Sequence, residues 1–493
     1  MPDHVELIPS PALFIKSIAE QGYTLSTALA DLIDNSITAG ATRVEILFNK
    51  KSLPHQLLIA DNGGGMASDQ LVANMRFPSN DLELEREGDD LGRFGLGLKT
   101  ASFSQAKKFA VISRMKGTEK FSGRTWDLDY LKDNGWALII NTDDEVQGFI
   151  DQYFSDNKNY HNLDPSFSPN TLITWSNLFK LRKANEQELE DELNEVRNHL
   201  SLIFHRYLDS RKLIIRLNNE IISGFNPFPL NQSDIQKVNE KHWWSGTDYI
   251  DFQGIILPKK AIEESKRGSS IWTPPGKSLF DMEGLFVYRN DRLIHYGSWL
   301  RTRKKSNLLR LGRVRIDIKN DTDALFQLNV AKSFLKLPFE LKKAMVEMIG
   351  VVEAQSIKEY KEKVTGEMVL KNIGYPSDLQ LINKVITGAG PKLRINESFL
   401  LVRQLLESIG AADKNKLLIL LQLIEGKLNE VWEADSSGSV VEENDFSQEE
   451  KEKILNLRHY YIDGGLSKQE VEKWLLDNIS QSAAQQAYIK SLT

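Results

Sequence analysis

The chain has 493 residues, 41% of them hydrophobic and 26% charged, a formal net charge of −6 and no cysteine. This is an ordinary globular composition, and the length exceeds what one hydrophobic core can serve, so about two to four domains are expected. The absence of thiols excludes disulfides and cysteine-ligated zinc or iron–sulfur centres, and the acidic balance confines any nucleic-acid contact to a local basic patch.

The opening MPDHVELIPS has neither the basic start nor the apolar run of a secretory signal. The first informative stretch is ALADLIDNSITAG, residues 28–40. On a helical period Leu25, Leu29, Leu32 and Ser36 share one face, with Ala28 and Ile33 at its edge. Asp31 and Asn35, four apart, share another face, and Asp34 sits next to Asn35. A solvated polar face and a functional one are both open at this point. TRVEILF (42–48) alternates and reads as a strand. HQLLIADNGGGM (55–66) reads as a strand that ends at Asp61 and runs into three glycines. Such glycines let the backbone approach a flat ligand, and an aspartate there is suited to accept a hydrogen bond from an exocyclic amine. Asp-Asn-Gly also makes ordinary hairpins.

GRFGLGLKTASFS (92–104) places Gly92, Gly95 and Gly97 before a helix expected to start near Leu98. A glycine-rich loop entering a helix N-terminus offers free N–H groups and a positive dipole end to phosphate. Its spacing is neither that of a Walker A loop nor that of a dinucleotide fingerprint. KKFAVISRM (107–115) and NTLITWSNL (170–178) are further strands, and strands in succession point to an α+β sandwich. Residues 185–208 form a long amphipathic helix. KLIIRLNNEII (212–222) is a hairpin turning at Asn218 and Asn219. A second mixed unit continues through GLFVYRNDRLIHYG and GRVRIDIKN. From 339 to about 432 the pattern is helical; 433–445 is acidic, serine-rich and without apolar period, hence a linker; 447–492 is helical again. The longest apolar run, LLILLQLI (417–424), is too short to span a bilayer. A soluble cytoplasmic protein with no membrane partner is expected.

Taken in order and spacing, DLIDNSITAGA, DNGGGM, GRFGLGLKTA and NTLITWSNL resemble the motifs of the GHKL ATPases, the superfamily of type II topoisomerases, the heat-shock chaperone, histidine kinases and MutL. Together with VYRNDRLIHYG, similar to a strand motif in the second domain of MORC-type ATPases, they point to MORC proteins and their prokaryotic relatives; the likeness covers roughly residues 10–340. It implies an α+β fold: a GHKL (Bergerat) ATP-binding sandwich at 1–180, a transducer-like α/β domain at 181–345, a helical region at 346–432, an acidic linker at 433–446 and a helical C-terminal segment at 447–493. It implies ATP and Mg²⁺ as ligands. Asn35 corresponds to the Mg²⁺ ligand, and Asp31 to the general base, where most members have glutamate; Asp34 is the alternative base. Asp61 corresponds to the adenine-reading residue. Gly63 and Gly65 would let the base sit close. Thr171 would hold it through water, with Asn170 standing where the family usually has glycine. Gly92, Gly95, Leu96, Gly97 and Leu98 would cradle the phosphates, with Lys99 adding charge, and residues 67–91 would form the lid. Lys332, or failing it Lys336, corresponds to the transducer lysine that reaches the γ-phosphate. The basic stretch 299–315, with Arg301, Arg303, Lys304, Lys305, Arg310, Arg313 and Arg315, suits phosphate contact. The resemblance implies an ATP-gated homodimer acting as a clamp, on DNA or, as the alternative, on client proteins. A nuclease or other effector would be a partner, and a prokaryotic restriction or phage-defence setting the context.

Overall fold

A computed structural model of the chain describes residues 9–19, 22–49, 55–77, 97–179, 181, 184–238, 240–245, 248–267, 270–318, 326, 337–372, 380–387, 390–434, 448–463, 466–478 and 483–492. They fall into two compact units, one of residues 1–305 and 309–357, the other of residues 306–308 and 358–493.

The first unit begins with α1 (Pro11–Ala19) and α2 (Leu25–Thr38). Thr24 starts α2 through a reciprocal capping box: its hydroxyl accepts the Thr27 N–H (3.2 Å) and Thr27 Oγ1 accepts the Thr24 N–H (3.0 Å). Strands β1 (Arg43–Asn49) and β2 (Gln56–Asp61) follow, then α3 (Ser68–Met75), α4 (Gly97–Gln105), β3 (Ala106–Ser113), β4 (Ser122–Asp127), α5 (Leu128–Asn134), β5 (Ile139–Ile140), α6 (Asp143–Asn157), β6 (Thr171–Leu178), α7 (Glu186–Ile203), α8 (His205–Asp209), β7 (Ile214–Leu217) and β8 (Glu220–Ile221). Among the described residues these strands make one eight-stranded sheet in the order β5-β4-β3-β6-β2-β1-β7-β8. Its pairs are antiparallel except β1 with β7, which run parallel.

The two-residue period of β1 divides its side chains between the sheet's faces. Val44, Ile46 and Phe48 enter the core formed with Leu25, Leu29 and Leu32 of α2, Phe103 of α4 and Val196 and Leu200 of α7. Leu47 joins the opposite core, where Val146 and Tyr153 of α6 pack. Glu45 is buried on that second face, and four donors satisfy it: Arg43, Arg216, Asn157 and Tyr153. The sheet therefore has helices on both sides, the α+β sandwich expected. Its last two strands, however, come from residues beyond 180.

The second sheet comprises β9 (Gln236–Lys237), β10 (Lys241–Ser245), β11 (Asp248–Ile256), β12 (Gly284–Arg289), β13 (Arg292–Ser298) and β14 (Gly312–Ile318), in the order β10-β11-β14-β12-β13 with β9 on β11; a short helix, α9 (Ala261–Glu264), lies between β11 and β12. The β12–β13 hairpin turns at Asn290 (φ 46°) and Asp291 (φ 64°), the paired left-handed conformation of a type I′ turn. Asn218 (φ 49°) and Asn219 (φ 65°) make the same turn between β7 and β8. Helix α8 docks on the β12–β13 hairpin. His205 lies 2.9 Å from the Tyr288 hydroxyl, Tyr207 donates to Asn290 O at 2.6 Å, and the Arg206 guanidinium stacks 3.6 Å above the Tyr288 ring.

Helix α10 (Phe339–Asn372) leads to a hairpin, β15 (Ile382–Thr387) with β16 (Gly390–Ile395), and then α11 (Leu400–Ser408), α12 (Ala411–Ala434), α13 (Gln448–Asp463), α14 (Lys468–Asn478) and α15 (Ala483–Lys490). The hairpin corrects the continuous helical reading of 339–432. Its alternating INKVIT and PKLRI segments are strands, which the flanking helical periods mask. Phe399, Leu400, Val402, Leu406, Ile454, Tyr461, Val471, Leu475 and Ile489 form a separate core in this unit. The expected linker falls almost entirely outside the described residues. Among the described residues no helix is long and apolar enough to cross a membrane.

Candidate nucleotide-binding site

The site is built where β2 ends against α2. Asp61, the last residue of β2, is 6% exposed and both its carboxylate oxygens are engaged. Oδ2 accepts from the Ser36 hydroxyl of α2 (3.1 Å) and Oδ1 from the Gly63 N–H (2.9 Å). Burial raises its pKa to about 6, against the lowering effect of those two bonds. The carboxylate is thus fixed at the mouth of a glycine turn. Within that turn Gly65 has φ +66°, and a Cβ there would lie 1.7 Å from the Arg114 carbonyl oxygen. A Cβ on Gly63 would come within 3.0 Å of Ala39 and Asp61. The glycines are needed to pass the chain between α2 and the end of β3.

Asn170 and Thr171 at the start of β6 close the other side. The Asn170 amide donates to Gly63 O (2.8 Å), and its backbone N–H to Asp61 O (2.8 Å). The asparagine that departs from the family's glycine therefore pins the glycine turn. Thr171 Oγ1 lies 2.9 Å from Ser113 Oγ, which accepts the Met66 N–H at 3.0 Å. Asp61, Gly63, Gly65 and Thr171 are thus brought together from β2, its turn and β6.

On α2, Leu25, Leu29, Leu32 and Ser36 are buried as the helical period requires, and Asn35 is exposed. Asp31 and Asp34 are both buried, Asp34 completely. Tyr23 donates to Asp31 Oδ2 (2.8 Å); burial, then the neighbouring carboxylate, pushes this phenol above its ordinary range, so it stays a donor. Asp34 Oδ1 accepts from Nε of Arg292 (2.7 Å), and Arg292 Nη2 lies 4.0 Å from Asp31 Oδ1. Arg292 belongs to β13 of the second sheet. Asp34 is therefore held by this guanidinium and is not presented as an alternative base.

Helix α4 is described from Gly97 to Gln105; the glycine-rich segment before it, and with it the expected loop-to-helix junction, lies outside the described residues. Leu98 packs, half-buried, against the core. Lys99 departs from its expected place. Its ammonium is buried beside Phe77 and donates to the carbonyls of Asn74 (2.9 Å) and Arg76 (2.6 Å), the free acceptors at the end of α3. Burial lowers its pKa to about 8. Gly92, Gly95, Leu96, Lys332, Lys336 and residues 78–91 of the expected lid lie outside the described residues.

The basic stretch is not one solvated face. Arg313 is fully buried and donates to the carbonyls of Pro227 and Trp272, which corrects its assignment to nucleic-acid contact: a guanidinium with no exposed surface is not presented to a phosphate. Arg303 pairs with Glu353 (2.8 Å) and Arg315 with Glu240 (2.8 Å). Arg301 and Lys304 are exposed; Lys305, 4.6 Å above the Phe280 ring, and Arg310 are half-buried. Ser113, Tyr23 and Arg292 carry no signal in the sequence as site residues, whereas Ser36 has one, a hydroxyl on the apolar face of α2.

Comparison with known proteins agrees with this geometry. Residues 23–159 match the family model described as histidine kinase-, DNA gyrase B- and HSP90-like ATPase. Protein MICRORCHIDIA 7 of Arabidopsis thaliana is 31% identical over 122 residues, 24% of this chain and 16% of that protein. ATPase MORC2B of Mus musculus is 33% identical over 94 residues, 18% of this chain and 9% of that protein. Chaperone protein HtpG of Rickettsia canadensis is 28% identical over 141 residues, 24% of this chain and 22% of that protein. The matches span less than a quarter of each of these relatives. The matched segment holds Asp31, Asn35 and Asp61 with the glycine turn and the start of α4, so the N-terminal domain of this chain belongs to the GHKL ATPase superfamily and is similar to the corresponding domain of MORC proteins.

Proposed function

We propose that this protein binds ATP with Mg²⁺, hydrolyses it slowly, and uses the nucleotide to gate dimerisation of its N-terminal domains into a clamp that acts on DNA. The observation that carries it is the buried Asp61, held by Ser36 and Gly63 beside a helix that also bears Asp31 and Asn35. Asp61 reads the adenine amine. Asn35, exposed on α2, offers the amide oxygen a hard cation accepts; magnesium keeps several waters and takes its remaining ligands from phosphate. Asp31 is the base that takes a proton from the attacking water, and its side chain, one methylene shorter than glutamate, makes turnover slow. Lys332 reports the γ-phosphate to the second domain. DNA contact rests on Arg301, Lys304, Lys305 and Arg310. A cytoplasmic setting in a prokaryotic restriction or phage-defence system, with a nuclease or other effector as partner, belongs to the same proposal. The similarity to HtpG favours a second reading, an ATP-driven remodeller of proteins.

Sedimentation of the full chain with a non-hydrolysable ATP analogue, with ADP and without nucleotide tests the gate. A doubling of mass with the analogue alone is expected; one mass in all three conditions overturns it. Steep salt dependence of DNA binding separates the clamp from the remodeller.

A further inference from the structure

Arg292 stands far from every motif that identifies the ATPase domain, yet it enters the first helix. It follows the type I′ turn of the β12–β13 hairpin, is 5% exposed, and bridges two carboxylates of α2 one turn apart. To Asp34 it makes a charge-assisted hydrogen bond of 2.7 Å; Asp31 Oδ1 lies 4.0 Å away. The opposite oxygen of Asp31 is fixed by Tyr23 at 2.8 Å. The guanidinium also lies over the Phe204 ring (5.7 Å) and beside His199 of α7, whose pKa is lowered to about 3, by burial first and then by the charge of Arg292. Ring, neutral imidazole, phenol and two acids thus surround one cation that the second domain contributes.

Resting on the ATPase reading above, we propose that Arg292 is a positioning residue for hydrolysis: by holding Asp34, the second domain fixes the turn of α2 that presents Asp31, so turnover depends on the hairpin being docked. The energetic reason is the asymmetry of buried ion pairs. Paired, the cluster is close to neutral in its effect on stability; with one partner removed, a buried charge is left uncompensated and the local structure shifts to relieve it. A shift of about 1 Å in a reacting group can cost roughly 100-fold in rate. Asn35 is exposed on the same helix, and Asp61 on β2 is held by Ser36 and Gly63, not by the guanidinium, so nucleotide binding survives its loss.

The test compares Arg292→Met, Arg292→Lys and Tyr23→Phe with the wild type in the full chain, measuring Mg·ATP affinity, kcat and thermal midpoint. Arg292→Met keeps the stem of the side chain and removes the charge. It should lower kcat by about 10- to 100-fold with ATP affinity changed by no more than about twofold. Arg292→Lys, keeping charge without the fork, should recover part of the rate. Tyr23→Phe, which leaves Arg292 in place and removes the hydrogen bond from Tyr23 to Asp31, should lower kcat in the same selective way, and it serves if Arg292→Met fails to fold. Unchanged kcat in Arg292→Met, or rate and affinity falling together in both Arg292→Met and Tyr23→Phe, overturns the positioning role. A wild type that binds no ATP overturns instead the function on which the proposal rests.

Discussion

Asp61 is a strand-end carboxylate whose ionisation costs stability. Its pKa in the folded chain, about 6, lies above the ordinary 3.8, so the folded state holds the proton more tightly. The stability this gives is complete below about pH 4 and is lost as pH rises through about 6. Asp61→Asn has no such titration. Its stability relative to wild type should therefore rise across that window, and chemical denaturation at pH 4, 5, 6 and 7 measures the slope; a difference that stays flat means the carboxyl is not perturbed. The same variant should lose ATP binding with the fold intact, since an amide keeps only one of the two acceptor oxygens that Ser36 and Gly63 use and puts an N–H donor in place of the other, against the adenine amine, itself a donor. Gly65→Ala is expected to cost about 3 kcal/mol or more, because a methyl group there meets the Arg114 carbonyl and the left-handed backbone resists any side chain. What is legible at this scale is residue type at chain position: the aspartate, the glycines and Thr171 read as a candidate nucleotide site, and the structure brings Asp61, Gly63, Gly65 and Thr171 together. The partners were not. Ser36 lies 25 residues from Asp61 and Arg292 lies 258 from Asp34, separations at which a one-dimensional pattern carries no contact.

At the scale of elements, α2 does two jobs on two faces. Its leucine face belongs to the core and was legible from the 3.6-residue period; its acidic face, open at first to a solvated and to a functional reading, is mostly buried, with Arg292 of β13 against Asp31 and Asp34. Only Asn35 keeps the exposure the period suggested. Asp31→Asn should keep ATP bound and abolish turnover, whereas Asn35→Ala should lose the magnesium-dependent part of affinity. Titration calorimetry with and without Mg²⁺, beside phosphate release, separates the two; normal phosphate release by Asp31→Asn would move the base elsewhere. Helices α3 and α4 teach a related lesson. A lysine after a glycine-rich loop suggested a phosphate contact, but Lys99 closes the C-terminal carbonyls of α3. Lys99→Met should change ATP affinity by less than about tenfold while amide exchange in α3 speeds up. A large loss of affinity with α3 still protected would restore the phosphate role. The hairpin of β15 and β16 was missed because two short strands sit between helices long enough to dominate the pattern.

For the molecule as a whole, charge on the surface and charge inside must be told apart. Arg301 and Lys304 face solvent while Arg313 is fully buried. Replacing Arg301 and Lys304 with glutamate should weaken DNA binding and flatten its dependence on salt, leaving the thermal midpoint in place. Arg313→Ala should instead lower the midpoint, by leaving the Pro227 and Trp272 carbonyls without their donor. Titrations of DNA at several salt concentrations, beside thermal denaturation, check both. Equal effects of the two changes on DNA would return Arg313 to the surface.

The parallel pairing of β1 with β7 also governs the order in which the chain can be made. Strand β1 is synthesised within the first fifty residues, but the strand that covers its far edge arrives only at residue 214, after the whole of α7. Until then a growing chain carries Val44, Ile46 and Phe48 on a strand whose outer N–H and C=O groups have no neighbour, an open template for another nascent copy. The apolar face of α7 closes the same core and arrives only shortly before the strand. A fragment ending at residue 180 should therefore aggregate, and one ending just after Ile222 should stay monodisperse, so the point at which this domain becomes safe to release from the ribosome lies some forty residues later than its nucleotide motifs suggest.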